Sequence, residues 1–254
     1  MKHLSEIVVA SLPLSSLPAW SAVSLVAGWD DNFSGTTGWT PNHLAPQTTA
    51  TIDASTNVGN KNWSQWNFND QGASNDGTFG ELGIEIANAV TTFTDNNENL
   101  SLNRSDGQLV FTLTNNSPVD RTVHGFHFDS VRRFSDSASA WTLAFGGAIS
   151  GNSANGNLAQ VGSMSGATAA QRNHSVDLTL LSDNVWEAGT NAVFTLSFTG
   201  SANSTLTGGG QELLVDNIGV TAELIPEPSS LALVALSGLA LLTRRRPSHI
   251  KTTR

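Results

Sequence analysis

The stretch Leu109-Val110-Phe111-Thr112-Leu113-Thr114 decides the fold. Large apolar side chains occupy every second position, and successive side chains of a strand point to opposite faces, so the hexamer has one apolar and one mixed face. It stops at Asn115-Asn116-Ser117-Pro118, a cluster of turn formers. The same grammar recurs downstream. Trp141, Leu143 and Phe145 alternate with Thr142, Ala144 and Gly146, and Phe194, Leu196 and Phe198 alternate with Val193, Thr195 and Ser197. Further strand candidates lie at 82–86, 90–94, 123–128, 175–180 and 212–221, between turn clusters such as Asp95 to Asn99, Ser105-Asp106-Gly107 and Gly146-Gly147. Eight or more antiparallel strands, each with one apolar face, bury those faces by packing two sheets together. The expected fold is all-β, an antiparallel β-sandwich of the jelly-roll kind. Ser150 to Ala170, rich in Gly, Ser, Asn and Ala, reads as a long loop inside that domain.

Composition agrees with strands. The chain has 254 residues, enough for one large sandwich, and only 13% of them are charged. Three lysines in all leave little material for the wet faces of long helices. Cysteine is absent, which excludes disulfides, Cys-ligated metals and a Cys nucleophile. Charge is unevenly placed. Between Ala27 and Ile225 nineteen acidic residues face six basic ones, whereas the last eleven residues hold five basic groups and no acid. An acidic body repels phosphate backbones, so nucleic acid is excluded as a partner, while divalent cations and neutral glycans stay open.

The C-terminal segment reads Ile225-Pro226-Glu227-Pro228-Ser229-Ser230, then an uncharged Leu- and Ala-rich run from Leu231 to Leu242, then Thr243-Arg244-Arg245-Arg246. Two prolines one residue apart forbid a continuing strand or helix, so the run beyond them is a separate element. As a short hydrophobic helix the run spans about 18 Å at ~1.5 Å per residue, against a hydrocarbon core of ~30 Å. The arginines favour the cytoplasmic side and place everything before Pro226 outside. In this order and position the three parts resemble the PEP-CTERM sorting signal. The resemblance implies a Gram-negative bacterial protein that is exported, held transiently at the inner membrane by the helix, and processed by an exosortase. It names Pro226, Glu227, Pro228, Arg244, Arg245 and Arg246 as the sorting residues. The segment Pro247 to Arg254 extends past the usual end of such a tail.

Export needs a leader, and residues 1–27 are read as a signal peptide. Lys2 supplies the basic start, Ile7 to Leu17 the apolar stretch, and Ala19-Trp20-Ser21 or Ala22-Val23-Ser24 the small residues at a cut. The domain plan is therefore a signal peptide at 1–27, a β-sandwich at 28–224 and a sorting tail at 225–254. The opening Asp30-Asp31-Asn32-Phe33-Ser34-Gly35 with Gly38-Trp39, and the closing Leu214-Val215-Asp216-Asn217-Ile218-Gly219-Val220, resemble the first and last strands of lectin-like jelly rolls.

Candidate sites in the body are of three kinds. Asp216 shares the parity of Leu214, Ile218 and Val220, so a regular strand turns its carboxylate toward the core, where an unpaired charge is costly. A structural calcium ion shared with Asp30 and Asp31 is one remedy; backbone N–H donors or a bulge are the others. Trp39, Trp63 and Trp66 form a possible platform for sugar rings, although in a chain without tyrosine tryptophan is also a principal core residue. His124 and His127 lie three residues apart, which on a regular strand puts them on opposite faces and argues against shared metal binding. Glu85, Asp95, Glu98, Asp177 and Glu187 show no spacing that singles out a glycosidase pair. No nucleophile or phosphate-binding motif is present. The expected function is a noncatalytic surface or extracellular-matrix protein associated with exopolysaccharide. The alternatives are a glycan-binding module and, third, a secreted glycoside hydrolase or lyase.

Overall fold

A computed structural model describes residues 23–29, 39, 41–54, 63–66, 78–79, 84–85, 99–103, 106–163, 166–202 and 212–225. In its first half the strands are β1 (Ser24–Trp29), β2 (His43–Leu44), β3 (Thr48–Asp53), β4 (Trp63–Trp66), β5 (Thr78–Phe79), β6 (Ile84–Glu85), β7 (Asn99–Asn103) and β8 (Gly107–Asn115). In the second half they are β9 (Arg121–Arg132), β10 (Ala140–Gly147), β11 (Ala154–Asn157), β12 (Asn173–Asp177), β13 (Val185–Trp186), β14 (Asn191–Thr199) and β15 (Glu212–Leu224). One sheet runs β12-β9-β15-β1-β2, with β13 also on β9 and β7, then β4, continuing from β15. The other runs β11-β10-β14-β8-β3, and β5 and β6 pair apart. The chain repeatedly crosses between the two main sheets, from β2 to β3, β7 to β8, β8 to β9, β9 to β10 and β13 to β14 to β15. All pairings between the described strands are antiparallel. This is the expected jelly-roll sandwich.

The core is the space between the two sheets. Leu109, Phe111 and Leu113 of β8 and Phe194, Leu196 and Phe198 of β14 meet Trp29, Phe126, Phe128, Ile218 and Val220 of the facing sheet. Edge-on aromatic pairs cross the gap, with ring centroids 5.3 Å apart for Trp29 with Phe111, Phe111 with Phe126, and Phe128 with Trp141. Such pairs add about 0.5–1.5 kcal/mol beyond area burial.

Two bulges lie where β9 meets β15. Asp216 pairs with Asp129 but the next pair is Gly219 with His127, so β15 holds one extra residue; Thr221 pairs with Gly125 and Ala222 with Val123, so His124 is the extra residue on β9. Each bulge reverses the parity of the residues beyond it. Leu213 and Val215 face the core before the first bulge, and Ile218, Val220 and Ala222 after it. Asp216 therefore does not share a face with Ile218 and Val220, as regular alternation requires. It goes with Leu214, which packs with Val131 and Ala167 in a second, small cluster on the outer side of the sheet.

That outer cluster exists because Val161 and Ala167 are brought over the sheet. The stretch expected as an unbroken loop contains β11, paired with β10, and the start of a one-turn helix, α1 (Ala169–Arg172). Its small side chains permit both, and Gly156 lies against the Trp141 ring, where an added Cβ would stand 2.7 Å from Nε1. At the other end, β1 begins at Ser24 and pairs there with Ala222. A domain boundary at residue 27 would cut through this buried strand, whereas a cut after Ser21 leaves it whole.

Candidate functional site

The last strand leads straight into the sorting segment. β15 ends at Leu224, and the N–H of Ile225 donates to the Asp120 carbonyl at 2.9 Å, fixing the chain one residue before Pro226. Pro226, Glu227, Pro228, Arg244, Arg245, Arg246 and the hydrophobic run lie outside the described residues. Among the described residues no helix is long and apolar enough to cross a membrane.

The tryptophan platform does not form from Trp39 and Trp63. Their exposures are 2% and 1%, and the Trp63 indole donates to the Gln108 carbonyl at 3.1 Å while its ring packs on Phe198. These rings are spent on the core. The Trp66 side chain lies outside the described residues, as do Asp30 and Asp31.

Asp216 is 1% exposed and its Oδ1 accepts the backbone N–H of Asn217 at 2.9 Å. The bulge supplies that donor by holding Asn217 at φ 47°, a left-handed conformation that Asn tolerates better than most residues. The Asn217 amide then reaches across the strand pair and donates to Asp129 Oδ2 at 2.9 Å. Asp129 lies directly opposite Asp216, fully buried, and the Nε of Arg172 from the covering segment stands 4.0 Å from its Oδ2. Burial pushes the Asp129 carboxyl up to about 6, with the Asn217 hydrogen bond opposing the rise. Asp129 Oδ1 and Asn217 Oδ1 are buried without a hydrogen-bond partner. Alternation alone singles out Asp216 but not Asp129, because the pairing of β9 with β15 is not written in either strand.

The bulge at His124 also changes the histidine reading. His124 and His127 both lie on the outer, half-exposed face, not on opposite faces. They are nonetheless separately engaged. His124 Nε2 is 3.3 Å from Glu223 Oε1, whereas His127 has its Nδ1 2.9 Å from Ser175 Oγ and its Nε2 3.5 Å from Thr221 Oγ1. Burial lowers His127 to about 4. Gly125 makes room for that ring, since a Cβ there would strike its Nε2 and Cε1. Among the described residues no group of three or more His, Asp and Glu is placed to hold a metal ion.

A cleft of about 650 Å³ opens where the loop after β10 meets the 3-10 turn Leu178–Leu180 that succeeds β12. Phe145, Leu180 and Leu181 line it with apolar surface, and Asn152, Asp177 and Ser182 with polar groups. Its two walls are clamped together. Ser150 and Asp183 exchange backbone N–H to carbonyl bonds at 2.9 Å each, and Ser182 Oγ donates to the Ser150 carbonyl at 2.9 Å. Gly151 permits that approach, because a Cβ there would stand 2.6 Å from Leu181 Cδ2. Asp177 caps the 3-10 turn through Oδ1 alone, accepting the N–H of Thr179 at 2.9 Å and its hydroxyl at 2.6 Å. The Thr179 hydroxyl bond, with the N–H bond next, holds this carboxyl below its usual range. Glu187, the other described carboxylate side chain among the five glycosidase candidates, sits in the turn after β13 and not in the cleft lining.

Residues 224–246 match the PEP-CTERM protein-sorting motif. The chain thus carries a sorting signal of that kind and is exported and directed to the cell surface. Among solved structures it is similar to TmCBM61 in complex with beta-1,4-galactotriose, with a TM-score of 0.35 and 11% identity, covering 75% of this chain and 97% of that one. It is also similar to a family 11 carbohydrate-binding module from Clostridium thermocellum in complex with a beta-1,3-1,4-mixed-linked tetrasaccharide (TM-score 0.28, 9% identity, 78% of this chain, 96% of that one). A third likeness is to the enzymatically active domain of bacteriophage CBA120 tailspike protein 4 (TM-score 0.29, 11% identity, 71% and 20%). No curated protein matches the chain.

Proposed function

We propose that this chain is a noncatalytic surface or extracellular-matrix protein, released to its final site by an exosortase-like enzyme and associated there with exopolysaccharide. The observation that supports the reading is the junction of β15 with the matched motif: the last described strand ends at Leu224 and the motif begins there, so processing beyond Pro228 leaves every described strand intact. The hydrophobic run from Leu231 to Leu242 serves as the transient membrane anchor. The leader is removed after Ser21, ahead of β1. Intact-mass spectrometry of the protein recovered from its host should give a species that starts at Ala22 and lacks the segment after Pro228. A mature chain still ending in Arg254 overturns the processing claim, and one starting within β1 overturns the leader assignment.

A second reading is favoured by the clamped cleft, which offers an apolar floor with amide, hydroxyl and carboxylate groups at its edge, the make-up of a small-ligand site. On this reading the body binds a glycan. A hydrolase or lyase has less support, because the cleft lining contributes one carboxylate, Asp177, and glycoside hydrolysis ordinarily uses two. A calcium ion joining Asp216 to Asp30 and Asp31 belongs to the same proposal, as a stabiliser rather than a reactant.

A further inference from the structure

We infer that the cleft between Asn152 and Leu180 is a binding site for a neutral saccharide chain. This inference rests on the glycan-binding reading above and assigns that reading a place and a ligand class. A sugar ring presents an apolar C–H face and a rim of hydroxyls, so its site needs a fixed apolar surface flanked by groups that donate and accept. The cleft has both. The Phe145 ring packs edge-on to Phe194 at 6.3 Å between centroids, and Leu181 lies close against Gly151, so both floor residues are backed by packing before anything binds. Leu180, 83% exposed at the rim, leaves water when a ring covers it. Asn152 supplies donors and an acceptor, Ser182 a hydroxyl, and Asp177 the carboxylate oxygen that does not cap the 3-10 turn.

Charge selects the ligand class. The lining includes one carboxylate and no Lys or Arg, in a body whose acidic residues outnumber basic ones nineteen to six. A uronate or sulfated chain finds no counter-charge there and meets Asp177; a neutral chain meets only hydrogen-bond partners. The walls are already clamped by Ser150, Ser182 and Asp183, so little ordering entropy is lost on binding.

The test is affinity electrophoresis of the full chain through gels holding neutral glucan, galactan or mannan, and in parallel alginate or polygalacturonate. Wild type should be retarded by at least one neutral polymer and by neither anionic one. The double variant Asn152→Ala/Leu180→Ala should bind that polymer at least tenfold more weakly, and Asp177→Asn, which keeps the capping acceptor but loses the anionic oxygen, should also bind it more weakly than wild type; undiminished binding by both variants overturns the cleft assignment. Leu44→Ala, an exposed leucine elsewhere, should bind as wild type, and near-ultraviolet dichroism should show all variants folded. Retardation by a neutral polymer that the double variant retains overturns the cleft assignment while leaving glycan binding intact. Retardation by the anionic polymers alone overturns the neutral class. Passage of wild type through every gel overturns the glycan reading itself.

Discussion

Asn217 sits at a left-handed φ of 47° and does two jobs from there, offering its N–H to Asp216 and its amide to Asp129. Alanine at this position retains neither the left-handed preference, worth about 1–2 kcal/mol, nor the buried hydrogen bond to a carboxylate, worth about 1–3 kcal/mol. Urea denaturation should therefore show Asn217→Ala destabilised by ~2–4 kcal/mol and Asn217→Gly by less, since Gly keeps the conformation. Equal losses would mean that φ at this bulge is unimportant. Two other residues set the acid response with opposite signs. His127, lowered to about 4 by burial, is neutral when folded but takes up a proton below about 6.5 when unfolded, so its stability is present at neutral pH and lost as pH falls from 6.5 to 4. Asp129, raised to about 6, holds a proton in the folded chain between about 6 and 3.8 that the unfolded chain releases, so it adds stability over much of the same descent. Burial also lowers His43 and His174, so replacing His127 with Gln removes one of several losses that oppose the Asp129 gain: the melting temperature should fall less between pH 7 and 5 than in wild type. An unchanged fall would remove His127 from the titration.

At the scale of elements, strands with unbroken alternation are legible in the sequence and those with bulges are legible only in part. β8, β10 and β14 carry their apolar residues at strict period two, and their buried faces come from counting alone. In β9 and β15 one added residue reverses the count, which is why alternation puts Asp216 on the wrong face and His124 and His127 on opposite ones. A bulge is decided by the partner strand, and partners are not visible in a local pattern. The same holds for the tryptophans, whose burial depends on which sheet covers them. The cleft is illegible because its lining comes from β10, a Gly- and Ser-rich loop and a 3-10 turn that meet only after folding. Element packing also predicts which apolar changes matter. Phe126 on β9 touches Phe111 and Phe194 across the sandwich at 5.3 Å each, so Phe126→Ala should cost about 3–5 kcal/mol, whereas Leu180→Ala should cost less than about 0.5 kcal/mol. Similar losses at both sites, measured by denaturant midpoint, would contradict this arrangement of the core.

For the whole molecule, the sorting motif is the clearest signal in the sequence, because it is a contiguous order of residue types and needs no tertiary partner to be read. The proposed calcium ion acts at this scale, since it would tie Asp216 near the end of the body to Asp30 and Asp31 near its beginning. An ion that binds only the folded chain adds about 2.7 kcal/mol at 100 times its dissociation constant. Millimolar calcium in place of chelator should raise the melting temperature by several degrees, and Asp216→Ala should shrink the rise. Identical curves in calcium and chelator would leave the Asn217 N–H and its neighbours as the whole explanation of the buried carboxylate.

β15 comes after every other described strand in the chain yet lies inside its sheet, with β9 along one edge and β7 and then β1 along the other. Ser24 pairs with Ala222, 198 positions later. A polypeptide that crosses a membrane N-terminus first thus delivers β1, β7 and β9 without the strand that joins them. Closing loops of that span is slow, and the edges stay open meanwhile. The sheet can be completed only once Leu224 has emerged, which on the proposed anchoring is the moment at which the apolar run behind it would reach the bilayer. On the processing proposed above, translocation, closure of the sandwich and arrest of the tail would be successive steps on one clock, and an enzyme that cuts beyond Pro228 would meet a chain whose final strand has just become free to dock.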